Sequence, residues 1–247
     1  MTVSGANEIG ELSVSDRLKD NYEHYYEEGE SEWRWLSSVA KVKNILALCD
    51  RYPHKSILEV GSGDGSILQR MSDLGFGERL DSLEISRSAV ETILHRNIGS
   101  LVDCRLFNGY DIPYEDNQFD LVILSHVVEH LEFPRKMLYE AGRVAKRVFV
   151  EVPLEDNWRL SRDFVFDRVG HINFYSLKTI RRLIQTCDLE ISSQIVTNSS
   201  YQVYKYHSAK SGPPKFLIKE LLLRLSPNLA THLWTYHSAM ICTKKQV

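Results

Sequence analysis

The stretch Ile57-Leu58-Glu59-Val60-Gly61-Ser62-Gly63-Asp64-Gly65-Ser66 decides the fold. An apolar run ends in an acid and opens into a loop with glycine at every second position. That is a strand turning sharply into a helix. The glycines permit positive φ and let a ligand approach the main chain. The helix starting near Ser66 aims its first N–H groups at the same place. Such a unit binds a nucleotide-like cofactor, and the spacing narrows the choice. A dinucleotide fingerprint has the form G-x-G-x-x-G/A. Here the third glycine, Gly65, comes one place early, and position 66 is serine.

Outward from this loop, Leu80-Asp81-Ser82-Leu83-Glu84-Ile85-Ser86 reads as a second short strand carrying an acid near its end. Glu84 lies 19 residues beyond Gly65 (84 − 65), close to the roughly 20 expected for an acid that grips ribose hydroxyls. A carboxylate accepts hydrogen bonds from both hydroxyls at once. Taken alone, Glu84 reads equally as a solvated strand-end acid. With the loop before it, ribose binding is the better reading. The G-x-G-x-G loop preceded by Glu59 resembles motif I of the class I S-adenosylmethionine (SAM) methyltransferases. That resemblance implies SAM as cofactor and S-adenosylhomocysteine as product. Glu59, Gly61 and Gly63 would then hold the methionine half and Glu84 the ribose. Ser62, Ile85, Tyr110 and Ser125 belong to the same cofactor-binding set.

Composition bounds the alternatives. The 247 residues are 43% hydrophobic and 26% charged, as in ordinary soluble globular proteins. The net charge of −3 carries no signature of general nucleic-acid binding. Cys49, Cys104, Cys187 and Cys242 are widely spaced, without a C-x-x-C pair, and read as free thiols in a reducing compartment. The first 16 residues lack the basic and apolar regions of a signal peptide. No run approaches the ~20 apolar residues of a spanning helix. The expectation is a cytoplasmic protein without stable membrane insertion.

Residues 1–15 are small and polar and read as a disordered tail. Residues 16–52 carry Tyr22, Tyr25, Tyr26, Trp33, Trp35, Val39, Val42, Ile45, Leu46 and Leu48 in a helical setting. We read two helices there, separated by the acidic Glu27–Glu32 stretch, as an N-terminal cap. From 53 onward short apolar runs alternate with helical segments: strands at 56–60, 80–85, 102–107, 120–125 and 147–152, helices at 66–74, 87–97, 134–145 and 176–187. This argues for a parallel sheet with helices on both faces. Late strands at 190–197 and 236–243 resemble the closing hairpin of the same family, whose last strand runs antiparallel between its two predecessors.

The fold class expected is therefore α/β: a Rossmann-like, seven-stranded, mostly parallel sheet with helices on both faces and an antiparallel last strand. A cap over 1–52 precedes a SAM-binding core over 53–247. The core carries a helical insertion at about 198–235. That insertion leaves the sheet at its carboxyl edge, where ligands bind in open α/β sheets. Its stretch Lys215-Phe216-Leu217-Ile218-Lys219-Glu220-Leu221-Leu222-Leu223 is either a lid, an apolar-substrate surface, or an amphipathic helix packed on the domain or a dimer partner.

The chemistry-bearing residues follow. Asn108-Gly109-Tyr110-Asp111-Ile112-Pro113-Tyr114, then Phe119-Asp120, resembles the family segment whose acid meets the adenine amine. Here Asn108 stands at that place, and its amide carbonyl can still accept. Asp111 is the alternative acid, and Gly109 lies beside the adenine. Asp120 reads as a residue that caps or positions the fourth strand. After that strand comes His126-Val127-Val128-Glu129-His130. No Asn/Asp-Pro-Pro-Tyr follows it, which argues against adenine or glutamine amides as acceptor. His126 sits where the family keeps a group near the reactive methyl, and it can take a proton from an attacking hydroxyl. H-x-x-E-H also spells a zinc-peptidase pattern. On a helix His126, Glu129 and His130 share one face, so the metal-assisted alternative uses these three; otherwise no metal is expected.

Gly170-His171-Ile172-Asn173-Phe174-Tyr175-Ser176 supplies His171 as second base candidate and Ser176 as a helix cap. Pro153, Asp156, Asn157 and Trp158 lie where they can line the cavity. Tyr25, Tyr26, Trp33 and Arg34 can cover SAM, with Arg34 on its carboxylate. The reading is transfer of a methyl group to a hydroxyl, or an amine, of a small molecule such as a natural product, sugar or quinone precursor. It proceeds by in-line displacement with a histidine base. The expected partners are a small-molecule acceptor and a second copy of the chain, without nucleic acid. A non-catalytic SAM-binding protein and an NAD-linked enzyme are the alternatives; Ser66 and the lack of a second catalytic domain disfavour the latter.

Overall fold

The computed structural model describes residues 13–14, 31–161 and 170–245. Tyr22, Tyr25, Tyr26 and the first of the two expected N-terminal helices lie outside them. The second is α1 (Ser31–Cys49). Five strands follow: β1 (Ser56–Val60), β2 (Arg79–Glu84), β3 (Leu101–Leu106), β4 (Phe119–Ser125) and β5 (Ala145–Pro153). Between them run α2 (Ser66–Asp73), α3 (Arg87–His95) and α4 (Pro134–Val144). Then come α5 (Leu177–Gln185), β6 (Leu189–Thr197) and three helices, α6 (Tyr201–His207), α7 (Gly212–Leu225) and α8 (Pro227–Leu233); β7 (His237–Lys244) closes the sheet.

The strand order is β3-β2-β1-β4-β5-β7-β6. β7 pairs antiparallel with both β5 and β6, and the pairs among β1 to β5 are parallel. This is the expected Rossmann-like sheet with its last strand inserted between the two before it. The order reverses at β1 and β4, so a crevice opens beyond their carboxyl ends.

Each strand puts alternate residues on opposite faces, and each face has its own core. On one, Ile57, Leu121, Ile123, Phe149, Ala239 and Ile241 meet Val42, Ile45 and Leu48 of α1 and Leu68 and Met71 of α2. On the other, Leu58, Val60, Val122, Leu124, Val148 and Val150 meet Met137 and Leu138 of α4 and Ile180 and Ile184 of α5. At the carboxyl ends the stripe facing α1 changes character. Continuing it by twos gives Glu59 on β1, Ser125 on β4, Glu151 and Pro153 on β5, and His237 at the start of β7. Ser125 pairs with Glu151, Glu151 with Ala239, and Pro153 with His237. Four of these five end-of-strand residues are polar; Glu59, Ser125, Pro153 and His237 floor one cleft, and Glu151 lies buried behind Ser125.

Local signals hold the ends of elements. Ser86 caps α3 through the Ala89 N–H, and Ser176 with Thr179 forms a capping box on α5. Asp120 staples β4 to β1 by accepting from the Lys55 and Ser56 N–H groups, and it pairs with Lys146. The four cysteines are free. Helix α7 turns Leu222 and Leu223 toward the core but leaves Leu217, Ile218 and Leu221 exposed. No helix among the described residues is long and apolar enough to cross a membrane.

Candidate active site

The glycine loop carries the geometry that its sequence demands. Gly61 and Gly65 hold φ of 71° and 75°, in the left-handed region. A Cβ on Gly61 would sit 2.7 Å from Cγ2 of Val127, so the loop and the segment after β4 are in close contact. The Gly63 N–H donates to Oε2 of Glu84 at 2.8 Å, and the Ile85 N–H donates to Oε1 at 2.7 Å. The carboxylate that reads as the ribose acid is thus locked to the loop. Ser62 is buried: its hydroxyl donates to the Glu59 carbonyl and accepts from Ser82.

Two adjoining spaces open beside the loop. The smaller, about 80 Å³, is an apolar slot between Glu84, Ile85, Phe107, Gly109, Leu131 and Met137. Val14 enters it: its N–H donates to the Asn108 carbonyl, and its side chain packs on Gly109. The larger, about 330 Å³, runs over Glu59, Gly61, Gly63 and Ser125 to His126, His130, His171 and His237, under Trp33, Arg34 and Lys41 of α1. Gly61, His126 and His130 line both.

The expected cofactor residues divide. Glu59, Gly61, Ser62, Gly63, Glu84, Ile85, Gly109, Ser125 and Arg34 border these spaces. Asn108 and Tyr110 do not. The Asn108 carbonyl oxygen accepts from the Tyr110 and Asp111 N–H groups while its amide donates to Asp111. It ties off a turn. Asp111 is exposed and paired with Lys136. Tyr110 is wholly buried against Phe133, because an aromatic ring there gains more from the core than from the slot. Arg34 lies 3.6 Å from Asp64, which also binds Arg96. Trp33 faces the cleft, whereas Trp35 stacks on Arg70. Pro153 lines the cleft; Asp156 and Trp158 do not, and the Trp158 indole N–H is bound to the Leu233 carbonyl.

Electrostatics on the floor are dominated by burial. Oε2 of Glu59 is buried and makes no hydrogen bond among the described residues. Burial pushes the Glu59 carboxyl well up, against the pull of Lys41. Glu151 is likewise raised by burial, to about 7, although Lys41, Asn44 and Ser125 hold its charge. His126 occupies a left-handed backbone conformation, φ 59°, fixed by its N–H on the Glu151 carbonyl. For a non-glycine residue that costs about 1–3 kcal/mol and is characteristic of functional sites. Burial drives its imidazole well below the usual histidine range, so it is neutral at pH 7, and its Nε2 is buried without a hydrogen bond among the described residues. His171 places Nδ1 2.7 Å from Oε2 of Glu155.

The H-x-x-E-H segment is not an α-helix. Val128–His130 form a single 3-10 turn, and His126 stands outside it. The expected triad is therefore regrouped. Glu129, His130 and His171 bring ligand atoms within 4.8 Å of one another, and so do His126, Glu151 and His237. The two sets meet where Nδ1 of His126 lies 3.1 Å from Oε1 of Glu129. Either set offers nitrogen and carboxylate donors suited to a divalent transition metal. His237, Glu151, Glu155 and Lys41 did not emerge from the linear sequence. The signal that could have found the first two is a polar residue ending an otherwise apolar alternation.

A methyltransferase domain model matches residues 58–148. The Bacillus subtilis protein YrhH, provisionally named a methyltransferase, is 31% identical over 165 residues, which cover 63% of this chain and 91% of YrhH. The uncharacterised protein MJ1123 of Methanocaldococcus jannaschii is 27% identical over 136 residues; the match takes in 55% of this chain and 58% of that protein's length. Among solved structures, geranyl diphosphate C-methyltransferase from Streptomyces coelicolor, in complex with Mg2+, geranyl diphosphate and S-adenosylhomocysteine, superposes with a TM-score of 0.62 at 13% identity. The superposition covers 84% of this chain and 79% of that one. The chain belongs to the class I SAM-dependent methyltransferases. The cofactor of that family is SAM.

Proposed function

We propose that the protein transfers a methyl group from SAM to a hydroxyl of a small molecule, with His171 as general base. The observation that carries this reading is the His171–Glu155 pair lining the cleft that also holds the glycine loop. When bound, SAM supplies an electrophilic methyl on a sulfonium with a neutral leaving group. Glu84 accepts from the ribose hydroxyls. Gly61 and Gly63 let the chain approach the methionine half, and the unpartnered oxygen of Glu59 accepts from its ammonium. Arg34 and Lys41 provide the positive side of the cleft for its carboxylate. Glu155 accepts the Nδ1–H of His171, which leaves Nε2 as the proton-accepting nitrogen. His126, neutral and buried, orients the hydroxyl rather than carrying charge. These groups align, desolvate and deprotonate the acceptor.

A second reading is favoured by Glu129, a buried carboxylate with no hydrogen bond to either oxygen among the described residues and with Nδ1 of His126 3.1 Å from Oε1. A divalent cation held there by Glu129, His130 and His171 would lower the pKa of the acceptor hydroxyl. Dialysis against a chelator separates the two: undiminished transfer supports the histidine base, and loss restored by one divalent metal supports the cation.

The test of the cofactor site is calorimetric titration with SAM, S-adenosylhomocysteine and NAD. Micromolar binding of the SAM pair, at least tenfold weaker in Glu84→Ala, is expected. Tighter binding of NAD, or no effect of Glu84→Ala, would sink the reading. Transfer of labelled methyl from SAM to a panel of hydroxyl and amine compounds then identifies the acceptor class.

A further inference from the structure

A second cavity of about 370 Å³ adjoins the reaction cleft, and Glu155 and Thr235 line both. Its walls carry three cations, Arg159, Lys215 and Lys219, beside the rings of Phe174 and Trp234. Lys219 is the informative one. It is only 6% exposed, the one charged side chain that helix α7 buries. Its ammonium donates to the Thr235 carbonyl at 2.7 Å and lies 4.6 Å from the Tyr236 ring centroid. It has no carboxylate within ion-pair distance among the described residues, and neither do Arg159 and Lys215. Burial and the repulsion of Lys215 and Arg159 lower its pKa to about 8, offset in part by Glu220. The nearest carboxylate on the wall, Glu155, is committed to His171. A buried ammonium crowded by two further cations is costly, and an incoming anion removes that cost.

We infer that this cavity binds an anionic group of the methyl acceptor, a phosphate or a carboxylate, while the acceptor hydroxyl reaches the cleft past Glu155. The inference rests on the methyl-transfer reading and adds the substrate class: an acid with an apolar or aromatic body that packs on Phe174 and Trp234. Arg159 and Lys215 are exposed and supply the adaptable contacts; Lys219 supplies the fixed one.

The test is calorimetric titration of the S-adenosylhomocysteine-saturated protein with inorganic phosphate, pyrophosphate and benzoate at constant ionic strength. The titrations are repeated on the Arg159→Ala/Lys215→Ala double variant, whose exposed side chains leave the core untouched. Saturable binding of one anion class, weakened at least tenfold in the double variant with unchanged affinity for S-adenosylhomocysteine, is expected. Phosphates without benzoate would mark a phosphorylated acceptor, and benzoate alone a carboxylic acid; either supports the inference. Absence of saturable binding by all three anions, or binding that the double variant leaves intact, overturns it. If wild-type protein fails to bind S-adenosylhomocysteine, the cofactor reading fails instead, and the same anion titrations on the unliganded protein still decide this one.

Discussion

At the scale of single residues, the cleft is built by side chains whose environments set their chemistry. His171 has its Nδ1 held by Glu155, so the two act as a unit. With an acceptor in hand, His171→Ala should lower kcat by about 10²–10⁴-fold. Glu155→Gln should lower kcat less and leave KM for SAM unchanged. Equal rates in wild type and His171→Ala would rule out this base. Gly61 is constrained twice, by its positive φ and by Val127. Gly61→Ala should destabilise the protein by about 1–3 kcal/mol in urea unfolding and weaken S-adenosylhomocysteine binding, because the loop must move away from Val127. Retention of both stability and affinity would show that the loop yields freely. The same scale explains which residues could be placed beside the cleft from sequence. Glu84 and the glycines lie there because their positions are set locally: an acid at a strand end and a backbone in an uncommon conformation. Asn108 and Tyr110 point elsewhere than the two spaces because side-chain direction in a loop depends on partners. The Asn108 amide found the turn N–H groups, and Tyr110 found Phe133.

At the scale of elements, β5 and β7 matter most. Their pairing sets His237 in the floor and Glu151 buried beneath it, with Asn44 of α1 donating to Glu151 at 2.7 Å. The folded pKa of Glu151, about 7, lies above its ordinary 4.5. The folded state therefore binds more protons than the unfolded state between these values. The stability contributed is full below 4.5 and is lost as pH rises through 7. Urea unfolding of the unliganded protein should show Glu151→Gln gaining stability relative to wild type between pH 5 and about 8. A difference independent of pH would mean that Glu151 is charged throughout. The helices after β6 were legible only as an insertion at the carboxyl edge. Ser199, Ser200 and Val203 reach the cleft beside the glycine loop, and Lys215 and Lys219 line the adjoining cavity. That arrangement requires the hairpin of β6 and β7 to bring the two ends of the insertion together.

At the scale of the whole molecule, the sheet's switch point between β1 and β4 places the glycine loop, the β4 end and α1 around one space. A ligand bound there holds loop, strand ends and α1 in the folded arrangement. S-adenosylhomocysteine at a hundredfold excess over its Kd should add about 2.7 kcal/mol, a rise in Tm of roughly 5–10 °C for a chain of this size. The rise should grow with concentration and vanish in Glu84→Ala. An equal rise with NAD, or none with S-adenosylhomocysteine, would contradict the cofactor assignment.

The sequence by itself determined the order of strands and helices, the two faces of each strand and the glycine loop. Those features depend on residues near one another in the chain: period-2 apolar runs, glycines at alternate positions, caps such as Ser86 and Ser176. Only the tertiary structure decided which polar residues meet. Glu59, Ser125, Glu151 and His237 come from four strands far apart in sequence, and each alone is an ordinary strand-end residue. Their convergence is set by sheet register and by α1 lying across the carboxyl edge. The cations of the second cavity are likewise joined by the packing of α7 against the segment after β5. Contacts of this kind pair residues across long stretches of chain, and no local pattern encodes them.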